Sequence, residues 1–370
     1  MLSTRPARLH SVPPALSRGY QVPLALALIG SGLLARHLLA RVRRIEVESF
    51  EEREEERRQR RIHETPRALL GVDFGSSEVR FATPIVETDQ YGLDTVKRVR
   101  VLESKSGRHA SPAYVAVDEE GAMLVGVAAK THSLVHGGGS SVFALPSLVG
   151  RTSLPSDELS ALQRSGVDID QGPPLRVRLR GKPFAPESLF RVVLKEQKAA
   201  AAALLGAKAL DGALTVAAVP PSFDDAQRVA ITAAYAHAGL HVAALLDTPI
   251  AAARTYSHTR AGTDRSGGET LLVYDAGVRP SAAVVQRTRA DEWEIVAHVV
   301  SSPLAAHAPD RLLAASAAAA FQKETGVDVM ADPLARARFL EAVEQARIDL
   351  STSKQTTINL PYIAVRVMLG

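Results

Sequence analysis

The sequence predicts an α/β fold. Short apolar runs, Leu214–Val219 and His241–Leu246, alternate with helical segments, Phe223–His237 and Pro249–Ser257; buried strands covered by helices produce this pattern. An apolar strand, Leu69–Asp73, and an alternating strand, Val79–Ile85, flank a tight turn of small residues. At 370 residues the chain is long enough for two sizeable lobes.

The elements follow in order. After the first two strands come strands at Lys97–Leu102 and Ala113–Val117, then a helix at Ala128–Val135. Gly137–Ser141 is glycine-rich but lacks the Gly-Lys-Ser/Thr of a phosphate loop, and reads as a connection. Leu154–Leu175 is polar and punctuated by Pro and Gly, a connecting insertion with one short helix. Pro186–Leu205 is helical. Asp224 and Asp225 start the Phe223–His237 helix, and Gly239 stops it. Arg260–Gly268 is a polar loop. Glu269–Asp275, Ala282–Arg287 and Glu292–Val300 form an antiparallel run, Ala308–Thr325 and Asp332–Leu350 are helices, and Thr356–Pro361 is a last strand.

The N-terminus is a different material. Residues 1–45 contain no acidic residue and carry Arg5, Arg8, Arg18, Arg36, Arg41, Arg43 and Arg44. That is the composition of an organellar leader. Val22–Ala35 is apolar, and Arg36 and His37 interrupt it before Leu38–Ala40. Against the roughly 20 apolar residues of a full span, Val22–Ala40 is marginal. A membrane anchor, a cleaved targeting segment and a secretory signal peptide all fit. Residues 46–66 read as a charged helical linker, laced with Glu/Arg pairs and ended by Thr65-Pro66.

The net charge of +4 owes much to this N-terminus, and the chain has no aromatic-interleaved basic patch, so nucleic acid is not an expected partner. The absence of cysteine excludes disulfides and thiolate-bound metal. His237 and His241 are four apart, but Gly239 between them breaks any shared helix face.

The chemistry gathers at Asp73-Phe74-Gly75-Ser76-Ser77. An acidic residue at a strand end, followed by a small-residue turn, suits a phosphate and magnesium site: Gly75 lets backbone approach an oxyanion, and Ser76 and Ser77 supply donors. A plain hairpin with the same residues is the simpler alternative. The stretch resembles the first phosphate motif of the actin-like ATPase superfamily, specifically of the seventy-kilodalton heat-shock (DnaK-type) chaperones. The resemblance continues in order through His109–Lys130, Val219–Gly239, Leu246–Tyr256, Leu271–Gly277 and Glu341–Ile363, covering roughly 68–363.

This resemblance implies a two-lobed actin-like ATPase (ribonuclease H-like) fold with a central cleft, lobe I at 67–246 and an incomplete lobe II at 247–370. It implies ATP or ADP with magnesium as ligand. Asp73, Gly75, Ser76 and Ser77 would take the phosphates, and Asp73 the magnesium if nucleotide binds. Asp275 and Gly277 would open the opposing phosphate loop, and Glu344, Arg347 and Ser351 would contact ribose and adenine. Pro220 and Arg228 match the family's proline switch and its coupled arginine.

The departures fall on the site. Val278 and Arg279 stand where the second loop has glycines, Pro280 has no amide to donate, and Ala282 replaces an aspartate. Pro146 stands in for the catalytic lysine, Thr248 for a glutamate, and His307-Ala308-Pro309-Asp310 for a Gly-Gly-x-Asp-Phe-Asp segment. The sequence ends at Gly370, before the last adenosine loop and the peptide-binding domain that the resemblance implies. The expectation is therefore a degenerate nucleotide-binding domain that has lost ATP hydrolysis and has no catalytic residue. It would act as a structural or accessory subunit among protein partners at an organellar membrane, the mitochondrial inner membrane first, with plastid and endoplasmic reticulum as alternatives. The other reading is an ATP-binding chaperone or co-chaperone in protein folding.

Overall fold

The computed structural model describes residues 68–88, 94–136, 139–259, 268–289, 292–301 and 308–363, all within one compact unit, Arg67–Gly370. The expected leader, Val22–Ala40 and the charged linker lie outside the described residues. Among the described residues no helix is long and apolar enough to cross a membrane.

The central sheet grows from the strand before the Asp73 turn. β1 (Leu69–Phe74) buries Leu70, Val72 and Phe74 on one face, so Asp73 falls on the other. β2 (Glu78–Thr88) and β3 (Asp94–Val101) continue antiparallel from it. On its other side β11 (Leu214–Val219) and β12 (His241–Asp247) pair in parallel, and β4 (Ser111–Pro112) adds to the end of β2. The order is β12-β11-β1-β2-β3. The parallel strands are joined through the helix Asp225–His237, the crossover that such pairing needs.

Two small sheets flank it. β5 (Val115–Val117) lies between β6 (Met123–Val125) and β7 (Ser141–Val142). β8 (Asp168–Asp170), β9 (Arg176–Leu179) and β10 (Lys182–Phe184) form a meander. The last two of these strands were not expected, and β8 lies inside the stretch read as a connecting insertion. They are three or four residues long, too short for a period-two signal to emerge. A separate antiparallel sheet joins β13 (Thr270–Asp275), β14 (Ser281–Arg289) and β15 (Glu292–Val300), as the sequence predicts.

The helices are α1 (Val127–His136), α2 (Ser156–Arg164), α3 (Pro186–Leu205), α4 (Ala207–Leu210), α5 (Asp225–His237), α6 (Thr248–Thr259), α7 (Ala308–Thr325) and α8 (Pro333–Asp349). Local chemistry sets their ends. Asp224 caps α5 in a reciprocal box with Gln227, and Asp332 caps α8 by accepting from the Ala335 amide at 2.7 Å. Gly239 closes α5 at φ +77°.

The expected last strand at Thr356–Pro361 is not one. The segment has no ladder partner among the described residues. Its alternating Ile358 and Leu360 pack instead on the cluster around Phe339 and Val343, and Arg338 Nη2 donates to the Pro361 carbonyl at 3.0 Å. Alternation reports a half-buried extended chain, whatever covers it.

α3 and α5 cover the apolar face of the central sheet. Phe190 of α3 stacks on Phe74 with ring centroids 4.1 Å apart and meets Tyr235 of α5 edge-on at 5.7 Å. Gly150 carries φ +75°, and a Cβ there would lie 2.8 Å from the Gln227 Cα. The start of α5 therefore rests on bare backbone. Gly150→Ala combines a disfavoured backbone with a clash that neither side can relieve, and we expect it to lower unfolding free energy by about 2 kcal/mol or more. Urea denaturation checks this; an unchanged midpoint would show that α5 does not seat there.

Candidate functional site

A cavity of about 310 Å³ opens on the polar face of β1. The β1–β2 turn, Asp73 to Glu78, lines one wall. Pro146, Ser147 and Pro220 lie beside it, and Asp275, Gly277, Val278 and Arg279 form the opposite wall. Each of the two antiparallel meanders thus sends the acidic residue near the end of its first strand, Asp73 from β1 and Asp275 from β13, into the same space. Six of the nine predicted site residues come together here: Asp73, Gly75, Ser76, Ser77, Asp275 and Gly277.

The electrostatics are set by near neighbours. Burial in the cleft pushes the Asp73 carboxyl up; the Arg80 guanidinium, 3.6 Å away, opposes this, and Asp275 across the cleft adds to the rise. Two facing carboxylates suit a hard divalent cation. The phosphate donors are a poorer match. The Gly75 amide is spent on the Glu78 carbonyl at 2.9 Å, closing the turn on itself. The Gly277 amide is spent on Asp275 Oδ1, also at 2.9 Å. Val278 is buried in the apolar cluster beneath the central sheet. Pro146 is buried in a 3₁₀ turn at Leu145–Ser147 and offers no charge.

Arg279 points at a residue that sequence reasoning missed. Glu158, on α2, is buried at 4 % exposure and lies between two arginines. Arg151 Nη1 donates to its Oε2 at 2.9 Å, and Arg279 Nη2 makes an ion pair with its Oε1 at 2.5 Å. The second contact lacks hydrogen-bond alignment, and Arg279 Nε has no partner among the described residues. No local pattern marks Glu158 as buried, because both cations that make its burial tolerable come from other segments.

The remaining three predicted residues lie elsewhere. Glu344 lines a second cavity of about 670 Å³ between α1 and α8, where Lys130 Nζ donates to it at 2.5 Å. Thr131 Oγ1 adds a bond to Glu341 at 3.2 Å. Arg347 is exposed and pairs with Asp310, and Ser351 is exposed past the end of α8. Of these cavities, Glu78 alone lines both. Arg228 donates to Asp247 Oδ1 at 2.6 Å and to the Phe223 carbonyl at 3.1 Å, which ties α5 to the end of β12 next to Pro220. The carboxylates thus fit a cation, but the amides and cationic side chains that would hold a triphosphate in the manner the resemblance implies are committed or replaced.

A mixed α/β body with paired acidic turns facing one cleft is consistent with an ATPase-type domain. The Hsp70 protein family model matches residues 89–368, and the chain belongs to the Hsp70 family. It is 33% identical over 298 residues to the chaperone protein DnaK of Thermus thermophilus, to the same extent in each of two strains of that organism. Each alignment covers 80% of this chain and 45% of the relative, so the chain spans less than half the length of the curated relatives it matches. It is thus a chaperone-related ATPase-domain protein.

Proposed function

We propose that this chain is a degenerate Hsp70-type nucleotide-binding domain that no longer hydrolyses ATP and serves as a structural or accessory subunit of an organellar membrane complex. The observation that carries the reading is the Arg279–Glu158–Arg151 arrangement. Where a glycine loop would wrap phosphates, an arginine is spent on a buried carboxylate. With Pro146 in place of a cation, charge developing on a transferred phosphate lacks a stabiliser, and rate losses of several orders of magnitude follow. A fold can persist in this way after its chemistry has gone. The acid-free, arginine-rich residues 1–45 favour a mitochondrial inner-membrane location.

Calorimetry of ATP and ADP with magnesium on the full chain tests this. We expect no binding heat, no rise in melting temperature at millimolar nucleotide and no phosphate release. Micromolar binding would raise stability by about 2.7 kcal/mol at a hundredfold excess over Kd, and measurable turnover with it would overturn the reading. One observation favours the second reading, an ATP-binding chaperone or co-chaperone: Asp73, Ser76, Ser77 and Asp275 still share one cavity. That reading requires nucleotide binding in the same experiment.

A further inference from the structure

A cluster outside the cleft has the composition of a metal site. His132 and His136 lie one turn apart on α1, so both project from one face of the helix. Their rings stack with centroids 4.2 Å apart. Glu119 reaches them from the β5–β6 turn, its Oε1 lying 3.4 Å from His136 Nδ1. One donor atom from each of the three residues lies within 4.8 Å of the others. The turn is itself ordered: Asp118 Oδ1 accepts from the Ala122 amide at 2.7 Å, and the Asp118 amide donates to the Ala122 carbonyl at 3.0 Å.

A second observation points to a ligand. His132 is buried at 8 % exposure, and its Nε2 has no hydrogen-bond partner among the described residues. A buried ring nitrogen left in this state costs free energy unless something binds it. Nothing in the ATPase reading uses it.

We propose that His132, His136 and Glu119 bind a divalent transition metal of the zinc class. Two imidazoles and one carboxylate are a recognised zinc donor set, completed by a water, with bond lengths of about 2.0–2.2 Å. The donors must draw closer than they stand; His136 and Glu119 are exposed, whereas His132 is buried. Arg180 is the competing cation. It pairs with Glu119 Oε1 and donates from Nε to the Val117 carbonyl at 3.0 Å. The second carboxylate oxygen leaves Glu119 able to serve both. A bound ion would fasten the C-terminal end of α1 to the β5–β6 turn.

The test uses the full chain, stripped of metal, with zinc chloride as probe in calorimetry and melting, and cobalt(II) absorption as a report of geometry. We expect one tight zinc per chain, a rise in melting temperature and a tetrahedral cobalt spectrum. Changes to outer-shell partners already cost about 10–100-fold at such sites, so His136→Ala, which deletes a ligand, lowers affinity by about 100-fold. Glu119→Gln lowers it by about tenfold or more. Both side chains are exposed, so the variants keep the metal-free melting temperature of the wild type. The chain has 11 histidines, and the difference between wild type and variants, rather than residual weak binding, decides the outcome. Equal zinc affinity in wild type and both variants overturns the proposal, as does no binding to the wild type at tens of micromolar.

Discussion

Glu158→Ala lowers the unfolding free energy by about 3 kcal/mol, measured by urea denaturation. Removing one member of a buried ion pair costs about 3–5 kcal/mol because the partner charge stays behind without compensation. Here two charges stay behind. Arg151 and Arg279 keep 21% and 30% of their side-chain surface, so water screens them in part, and the low end of that range applies. Arg279→Ala should cost less, about 1 kcal/mol, since Arg151 still neutralises the carboxylate. This ordering separates the arrangement from a surface pair, for which both changes would fall within about 0.5 kcal/mol of wild type. Two near-neutral results would mean that Arg279 does not bridge to α2, and the case against a phosphate site would lose its main support.

The second large effect is expected in the core behind Asp73. Phe190→Ala removes a ring that is 1% exposed, stacked on Phe74 and edge-on to Tyr235. Deleting a buried phenylalanine costs about 3–5 kcal/mol through lost transfer energy plus the cavity left behind. The upper half of that range is expected, because the ring has partners on two elements and the stacked and edge contacts add to area burial. Phe74 adjoins Asp73, so the same change loosens the strand end that aims the carboxylate into the cleft. A midpoint shift at constant urea dependence is the expected signature. A loss below about 2 kcal/mol would show that α3 repacks against the sheet without it.

Much of the framework was legible in the residues. The apolar run Leu69–Asp73 forms a strand as expected, and it buries Leu70, Val72 and Phe74 with Asp73 on the opposite face. The Asp224 cap and Gly239 stop bounded α5, and the Leu271–Gly277 block located the opposing turn. The failures share one cause. The short strands of the β8–β10 sheet exist only because neighbours pair with them. Thr356–Pro361 alternates like a strand but packs its apolar side chains on α8. Propensity and period describe what a segment does to itself; pairing and burial are decided by segments distant in sequence.

The site divides along the same line. Residue identities alone established the family resemblance, the acidic turn, and the loss of glycines and lysine at Val278, Arg279 and Pro146, because these are statements about which groups the backbone offers. Only the tertiary structure showed that Arg279 is held by Glu158, that Lys130 pairs with Glu344 in the second cavity, and that His132, His136 and Glu119 meet. Those pairings join residues from separate elements. Their energies depend on distance and burial, which a linear pattern does not contain and folding alone supplies.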